Sequence, residues 1–130
     1  MIYLDTSALV KLVFEETDSA ALARWLHERS DVPKLSAEVA TIELVRTCRR
    51  YDVAALPAAR ELLAGLDLIP LSGDLVESAA LTGPVELRSL DAIHLASASA
   101  VAEGITAFVV YDVRLASAAS ELGLPVASPA

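Results

Sequence analysis

Thr106-Ala107-Phe108-Val109-Val110-Tyr111-Asp112 decides the fold: the consecutive apolar residues Phe108, Val109 and Val110 run straight into an acid. A run with no polar alternation is a strand covered on both faces, which is the signature of a parallel sheet sandwiched by helices. Before it, Ser89 is expected to cap a long Ala-rich helix that reaches about Glu103 and ends at Gly104. After it, a short helix from Val113 to Leu122 and an extended piece around Pro125 to Ala127 close the chain. The same strand-then-acid pattern opens the sequence, where Met1 to Leu4 stops at Asp5-Thr6-Ser7, three residues able to accept from free helix N–H groups.

Between these ends the pattern alternates. Helical periodicity is read over Ala8 to Glu15, over a second helix capped by Asp18 or Ser19 and running through Arg29, and over Ala37 to Arg50. Pro57 to Leu66 follows as another helix with Pro near its start, and Asp74 to Leu81 as one broken by Gly83-Pro84. Pro33 to Ser36 and Leu68 to Leu71 supply further strands. Strands separated by helices throughout predict one α/β domain over residues 1–130, with a mainly parallel sheet of four to five short strands flanked by helices. In such sheets ligands bind beyond the carboxyl ends of the strands, where strand order switches.

The composition narrows the class. Hydrophobic residues make up 55% of the 130, enough for a core without staples. The single cysteine, Cys48, excludes a disulfide framework and a multi-thiolate zinc site, and is expected to be a small buried hydrophobe. No apolar run is long enough to span a membrane, and Asp5 and Lys11 interrupt what would have to be a leader. A soluble cytoplasmic protein is expected. The net charge of −8 argues against a nucleic-acid binder, unless several carboxylates are gathered around cations.

Four acids invite that exception. Asp5 and Asp112 stand directly at strand ends, where each can also be a plain helix cap. Asp91 extends an apolar stripe with Leu95, Ala98 and Ala102, although a first-turn acid also complements the helix dipole. Glu43 lies mid-helix, and periodicity alone does not separate it from Glu38. Thr6 and Ser7 either cap the next helix or hydrogen-bond the site acids. His94, one turn after Asp91, reads as a packed and hydrogen-bonded histidine more readily than as a general base.

Four segments resemble the PIN-domain nucleases, and within them the VapC-type toxins of bacterial toxin–antitoxin pairs. They are Leu4-Asp5-Thr6-Ser7-Ala8-Leu9-Val10, Thr41-Ile42-Glu43-Leu44, Leu87-Arg88-Ser89-Leu90-Asp91-Ala92-Ile93-His94-Leu95-Ala96 and Val109-Val110-Tyr111-Asp112. The resemblance implies a PIN-like fold and a ribonuclease in which Asp5, Glu43, Asp91 and Asp112 hold one or two Mg²⁺ or Mn²⁺ ions; it also selects Glu43 over Glu38. It further implies an RNA substrate, an inhibitory VapB-type antitoxin, a homodimer and a higher toxin–antitoxin assembly, with no membrane partner. One departure stands out: where relatives often carry Thr or Ser two residues before the last acid, this chain has Val110.

The chemistry suits the residues. Hard divalent cations take oxygen ligands, neutralise a scissile phosphate and activate water. Four site carboxylates account for half of the −8, and two divalent ions would offset them. Arg46, Arg49 and Arg50 form a basic cluster just beyond Glu43 that could steer a phosphate backbone, or simply favour the helix end. Leu9, Leu12, Phe14 and Trp25 are candidates for an antitoxin groove, or else core. A receiver domain would need paired acids after the first strand and a late lysine, but the only lysines are Lys11 and Lys34. A haloacid-type phosphatase would need Asp-x-Asp, and Ser7 stands two residues after Asp5. A degenerate PIN fold that only binds RNA or protein is the remaining alternative, with Val110 in its favour.

Overall fold

The computed structural model describes residues 1–130. Its centre is a five-stranded sheet of β1 (Ile2–Leu4), β2 (Lys34–Ala37), β3 (Asp67–Ile69), β4 (Ala107–Val109) and β5 (Val126–Ala127). The order is β3-β2-β1-β4-β5 and every pair is parallel. The chain leaves β1 for β2 and β3 on one side, then returns to β4 on the other. The switch in order therefore lies between β1 and β4, and the strands' carboxyl ends there carry Asp5 and the segment leading to Asp112.

Seven helices cover the sheet: α1 (Thr6–Val13), α2 (Ser19–His27), α3 (Val39–Tyr51), α4 (Leu56–Ala64), α5 (Gly73–Leu81), α6 (Ser89–Ala100) and α7 (Val113–Glu121). Successive strand residues feed opposite faces. Tyr3, Phe108 and Val110 pack with Leu95 of α6 and Leu115 of α7, whereas Ile2, Leu4, Ala107 and Val109 pack with Leu9, Leu22 and Leu44. β1 and β4 are buried on both faces, which explains why these two strands show no polar alternation. The Tyr3 and Phe108 rings stack with centroids 5.1 Å apart and planes 9° from parallel, which ties the two central strands together. No helix is long and apolar enough to cross a membrane.

Several boundaries differ from the sequence reading for identifiable reasons. The helix expected from Ser89 to Glu103 stops at Ala100, and Ala102–Gly104 continues as a 3-10 turn. Ser89 is its first helical residue rather than its cap, because Arg88 takes the extended N-cap conformation. Neither Asp18 nor Ser19 caps α2 with its side chain: Asp18 sits in the left-handed region at φ 71°, and the Ser19 hydroxyl donates back to the Phe14 carbonyl. α7 ends in a Schellman turn, with Leu124 N–H donating to the Ala119 carbonyl and Gly123 N–H to that of Ser120. Gly123 supplies the positive φ, 82°, that this turn requires.

Candidate active site

Three of the four acids occupy equivalent places at helix N-termini. Asp5 is the N-cap of α1, Asp112 the N-cap of α7, and Asp91 lies in the first turn of α6. Each is thereby offered free N–H groups and the positive end of a helix dipole. Asp5 and Asp112 do cap their helices, accepting from Ser7 N–H at 3.0 Å and Leu115 N–H at 2.9 Å. Capping and site roles are compatible because a carboxylate has two oxygens. In each case one oxygen closes the helix and the other is turned to the site.

Asp5 is almost completely buried, at 4% exposure. Its Oδ2 accepts from both the backbone N–H and the hydroxyl of Ser7, the latter at 2.6 Å. The Ser7 oxygen in turn accepts the Tyr111 N–H at 3.0 Å, so this hydroxyl links the ends of β1 and β4. Glu43 comes in from α3. Its Oε1 meets His94 Nε2 at 2.7 Å and accepts the Thr6 hydroxyl at 2.8 Å. Glu38, by contrast, stands at the start of α3 and accepts the Leu71 N–H, away from this cluster.

His94 is fully buried, and all the hydrogen-bond partners of its ring are side chains. Nδ1 lies 2.8 Å from the Tyr3 hydroxyl, and Nε2 contacts Glu43, with Thr6 at 3.0 Å and Asp5 Oδ1 at 3.7 Å. Burial pushes the imidazole pKa down, but the Glu43 hydrogen bond and the charges of Asp5, Glu43 and Asp91 outweigh it, and the net shift is upward. Glu43 shows the converse: burial raises its pKa, while His94, Thr6 and Arg88 together bring it below the usual carboxylate value. For Asp91 burial dominates; with Asp5 and Asp112 nearby it overcomes Arg88, and the pKa is raised.

Arg88 closes the remaining gap. Its guanidinium is 3.4 Å from Asp91 Oδ2 and 3.8 Å from Asp112 Oδ2, a cation spanning acids from two elements. As placed, no three of the acids and histidines stand close enough together to enclose a metal ion. Arg88 holds one pair and His94 holds Glu43. The donors are nonetheless carboxylate oxygens, the class that Mg²⁺ and Mn²⁺ prefer.

The other sequence candidates fall into place less uniformly. Arg46, Arg49 and Arg50 are exposed, with no carboxylate within 4.0 Å. Arg46 and Arg50 follow Glu43 by three and seven residues and share its helix face; with Thr47 and Tyr51 they line an open depression. Arg49 falls off that face. Leu9 cannot line a groove, because it is fully buried against the sheet in the second core cluster. Leu12, Phe14 and Trp25 are half-buried on the same cluster, and Leu12 and Phe14 also edge a shallow surface cavity between α1 and α2. Val110 is core, so no hydroxyl is available there, and Cys48 is buried as expected. The sequence reading overlooked Tyr3 and Arg88. Tyr3 carried a legible signal: a phenol in a strand dry on both faces must find a hydrogen-bond partner.

The PIN domain family model matches residues 2–121 of the chain. Ribonuclease VapC47 of Mycobacterium tuberculosis (strain CDC 1551 / Oshkosh) is 44% identical over 132 residues, covering 99% of this chain and 97% of that protein. Ribonuclease VapC35 of the same strain is 43% identical with the same coverage. Among solved structures, that of M. tuberculosis VapC20, described as a sarcin-ricin loop cleaving toxin, superposes with a TM-score of 0.76. It covers 99% of this chain and 100% of its own at 19% identity, a likeness of fold.

Proposed function

Because this chain belongs to the PIN domain family, we propose that it is a VapC-type toxin, an endoribonuclease that uses Mg²⁺ or Mn²⁺ held by Asp5, Glu43, Asp91 and Asp112. The observation that carries the reading is the convergence of acids at the β1–β4 switch, with Asp5 buried and Glu43 drawn in from α3. Names of relatives at 43–44% identity support RNA as the substrate class. A cytoplasmic location accords with that substrate.

One or two bound divalent cations supply charge neutralisation at the scissile phosphate and an activated water. The chain's own residues do the rest. Ser7 and Thr6 hold Asp5 and Glu43 each by one oxygen, so these two acids are oriented in advance, although the cluster as placed would have to draw together to enclose an ion. Arg88, an exposed side chain, lies against Asp91 and Asp112, and it would have to give up that place to a bound cation. Its position also shows that a guanidinium fits these acids. A VapB-type antitoxin presenting an arginine would inhibit in the same way, by charge and by obstruction. Homodimers and a larger toxin–antitoxin assembly belong to this proposal.

The test is incubation of purified protein with total cellular RNA in Mg²⁺ or Mn²⁺, with and without EDTA. Discrete cleavage products that vanish on chelation are expected; a chain that binds RNA without cutting it returns the degenerate, binding-only alternative.

Two outcomes follow at named residues. Because the folded state raises the Asp91 pKa, the folded chain holds that proton more tightly than the unfolded chain. Ionising Asp91 therefore costs stability, absent at pH values below its titration and fully present above its raised pKa. At neutral pH Asp91→Asn should raise the melting temperature of the metal-free protein and blunt the rise that Mn²⁺ produces. Equal Mn²⁺ shifts in both proteins would remove Asp91 from the ligand set. On α3, Arg46→Ala and Arg50→Ala should each reduce the slope of log affinity against log salt for single-stranded RNA by roughly 0.7. Arg49→Ala should leave the slope nearly unchanged, and equal effects from all three would indicate a diffuse field rather than a track along the Glu43 face.

A further inference from the structure

We infer that the buried Tyr3–His94 pair is the positioning device of the acid cluster, holding Glu43 by Oε1 so that Oε2 is presented to the site. This deepens the nuclease reading and rests on Glu43 being a site acid. The ring itself is clamped: Tyr3 stacks on Phe108, and His94 meets Tyr3 edge-on, with centroids 5.9 Å apart. A carboxylate can only accept, so the hydrogen in the 2.7 Å contact between Nε2 and Glu43 Oε1 belongs to the histidine. In the neutral ring Nδ1 must then accept from the Tyr3 hydroxyl, which selects the tautomer. In the charged ring both nitrogens donate and the phenol accepts. Either way, Nε2–H points at Glu43.

The second donor is placed to the same end. Thr6 also donates to Oε1, and no protein donor reaches Oε2. Asp5 repeats the arrangement: both Ser7 donors converge on Oδ2, and Oδ1 is left facing the site beside His94 Nε2. Consecutive residues at the start of α1 thus anchor two different acids, each by one oxygen. A neutral histidine kept only for packing needs no more for its single N–H than one backbone carbonyl. His94 contacts Tyr3, Thr6 and Glu43 instead.

Side-chain geometry offers a discriminating experiment. In His94→Gln the amide nitrogen can stand near the place of Nε2, whereas in His94→Asn it stands near that of Nδ1. Mn²⁺ affinity by titration calorimetry, kcat and KM for RNA, and urea stability are measured for both, with Tyr3→Phe beside them. Loss of an outer hydrogen-bond partner costs about 10–100-fold in metal affinity. A loss of that size, with a matching fall in kcat, is expected for His94→Asn, with substantial recovery in His94→Gln and a smaller loss in Tyr3→Phe. Long-range ¹H–¹⁵N spectra of the metal-free protein should show Nε2 protonated in the wild type and mixed tautomers in Tyr3→Phe. An unprotonated Nε2, or Asn and Gln variants that fold and then behave alike, overturns the inference. A wild type that neither binds Mn²⁺ nor cleaves RNA refutes the nuclease reading instead, while the ring spectrum still reports on the hydrogen-bond relay by itself.

Discussion

Asp5→Asn is expected to end RNA cleavage while leaving the fold standing. Asparagine is as good an N-cap as aspartate, so α1 keeps its start. Its carbonyl oxygen can take over the two Ser7 bonds that Oδ2 now accepts. What changes is the other position: an NH₂ donor replaces Oδ1, the oxygen facing the site, and a donor cannot ligate a cation. The loss should exceed the roughly 10–100-fold that removal of an outer hydrogen-bond partner costs. Far-ultraviolet circular dichroism and the urea midpoint should stay near wild type. Cleavage at near wild-type rate in Mg²⁺ would dismiss Asp5 from the chemistry.

Phe108→Ala should fail for the opposite reason, by loss of fold rather than of chemistry. The side chain is fully buried on β4, stacked against Tyr3 of β1 and packed with residues of α6 and α7. Truncating a buried phenylalanine costs about 3–5 kcal/mol, a large share of the 5–15 kcal/mol that holds a typical domain together. Equilibrium urea unfolding should show a drop of that size. Because Tyr3 would lose its stacking partner, residual activity should fall further than the folded fraction alone explains. A destabilisation under about 1 kcal/mol would mean that the sheet's centre is packed differently.

The same two positions mark what could be read in the sequence. Phe108-Val109-Val110 is apolar without alternation because both faces of β4 are covered, and that pattern survives in the letters alone. Asp5 and Asp112 were legible because a strand ending in an acid places it at the switch point. Glu43 was not separable from Glu38 by periodicity, since both lie on or at the start of one helix. The resemblance selects it, and its contacts with His94 of α6 and Thr6 of α1 are tertiary facts. The role of Arg88 is equally tertiary: it becomes the partner of Asp112 only when α6 and α7 start side by side. Helix ends were displaced by a turn or less where backbone geometry intervened, as at Arg88 and Ala100. Leu9 illustrates the limit of amphipathic reading, since an apolar residue on a short helix serves a groove or a core equally well until the sheet beneath it is known.

The central claim is that these acids, now shared between Arg88 and His94, jointly bind a divalent cation. Titration calorimetry of Mn²⁺ into the purified protein, with Asp5→Asn in parallel, tests it most directly. The account predicts saturable binding of one or two ions by the wild type and its loss in the variant. A wild-type chain that takes up no Mn²⁺, or a folded Asp5→Asn chain that binds it equally well, would contradict the account.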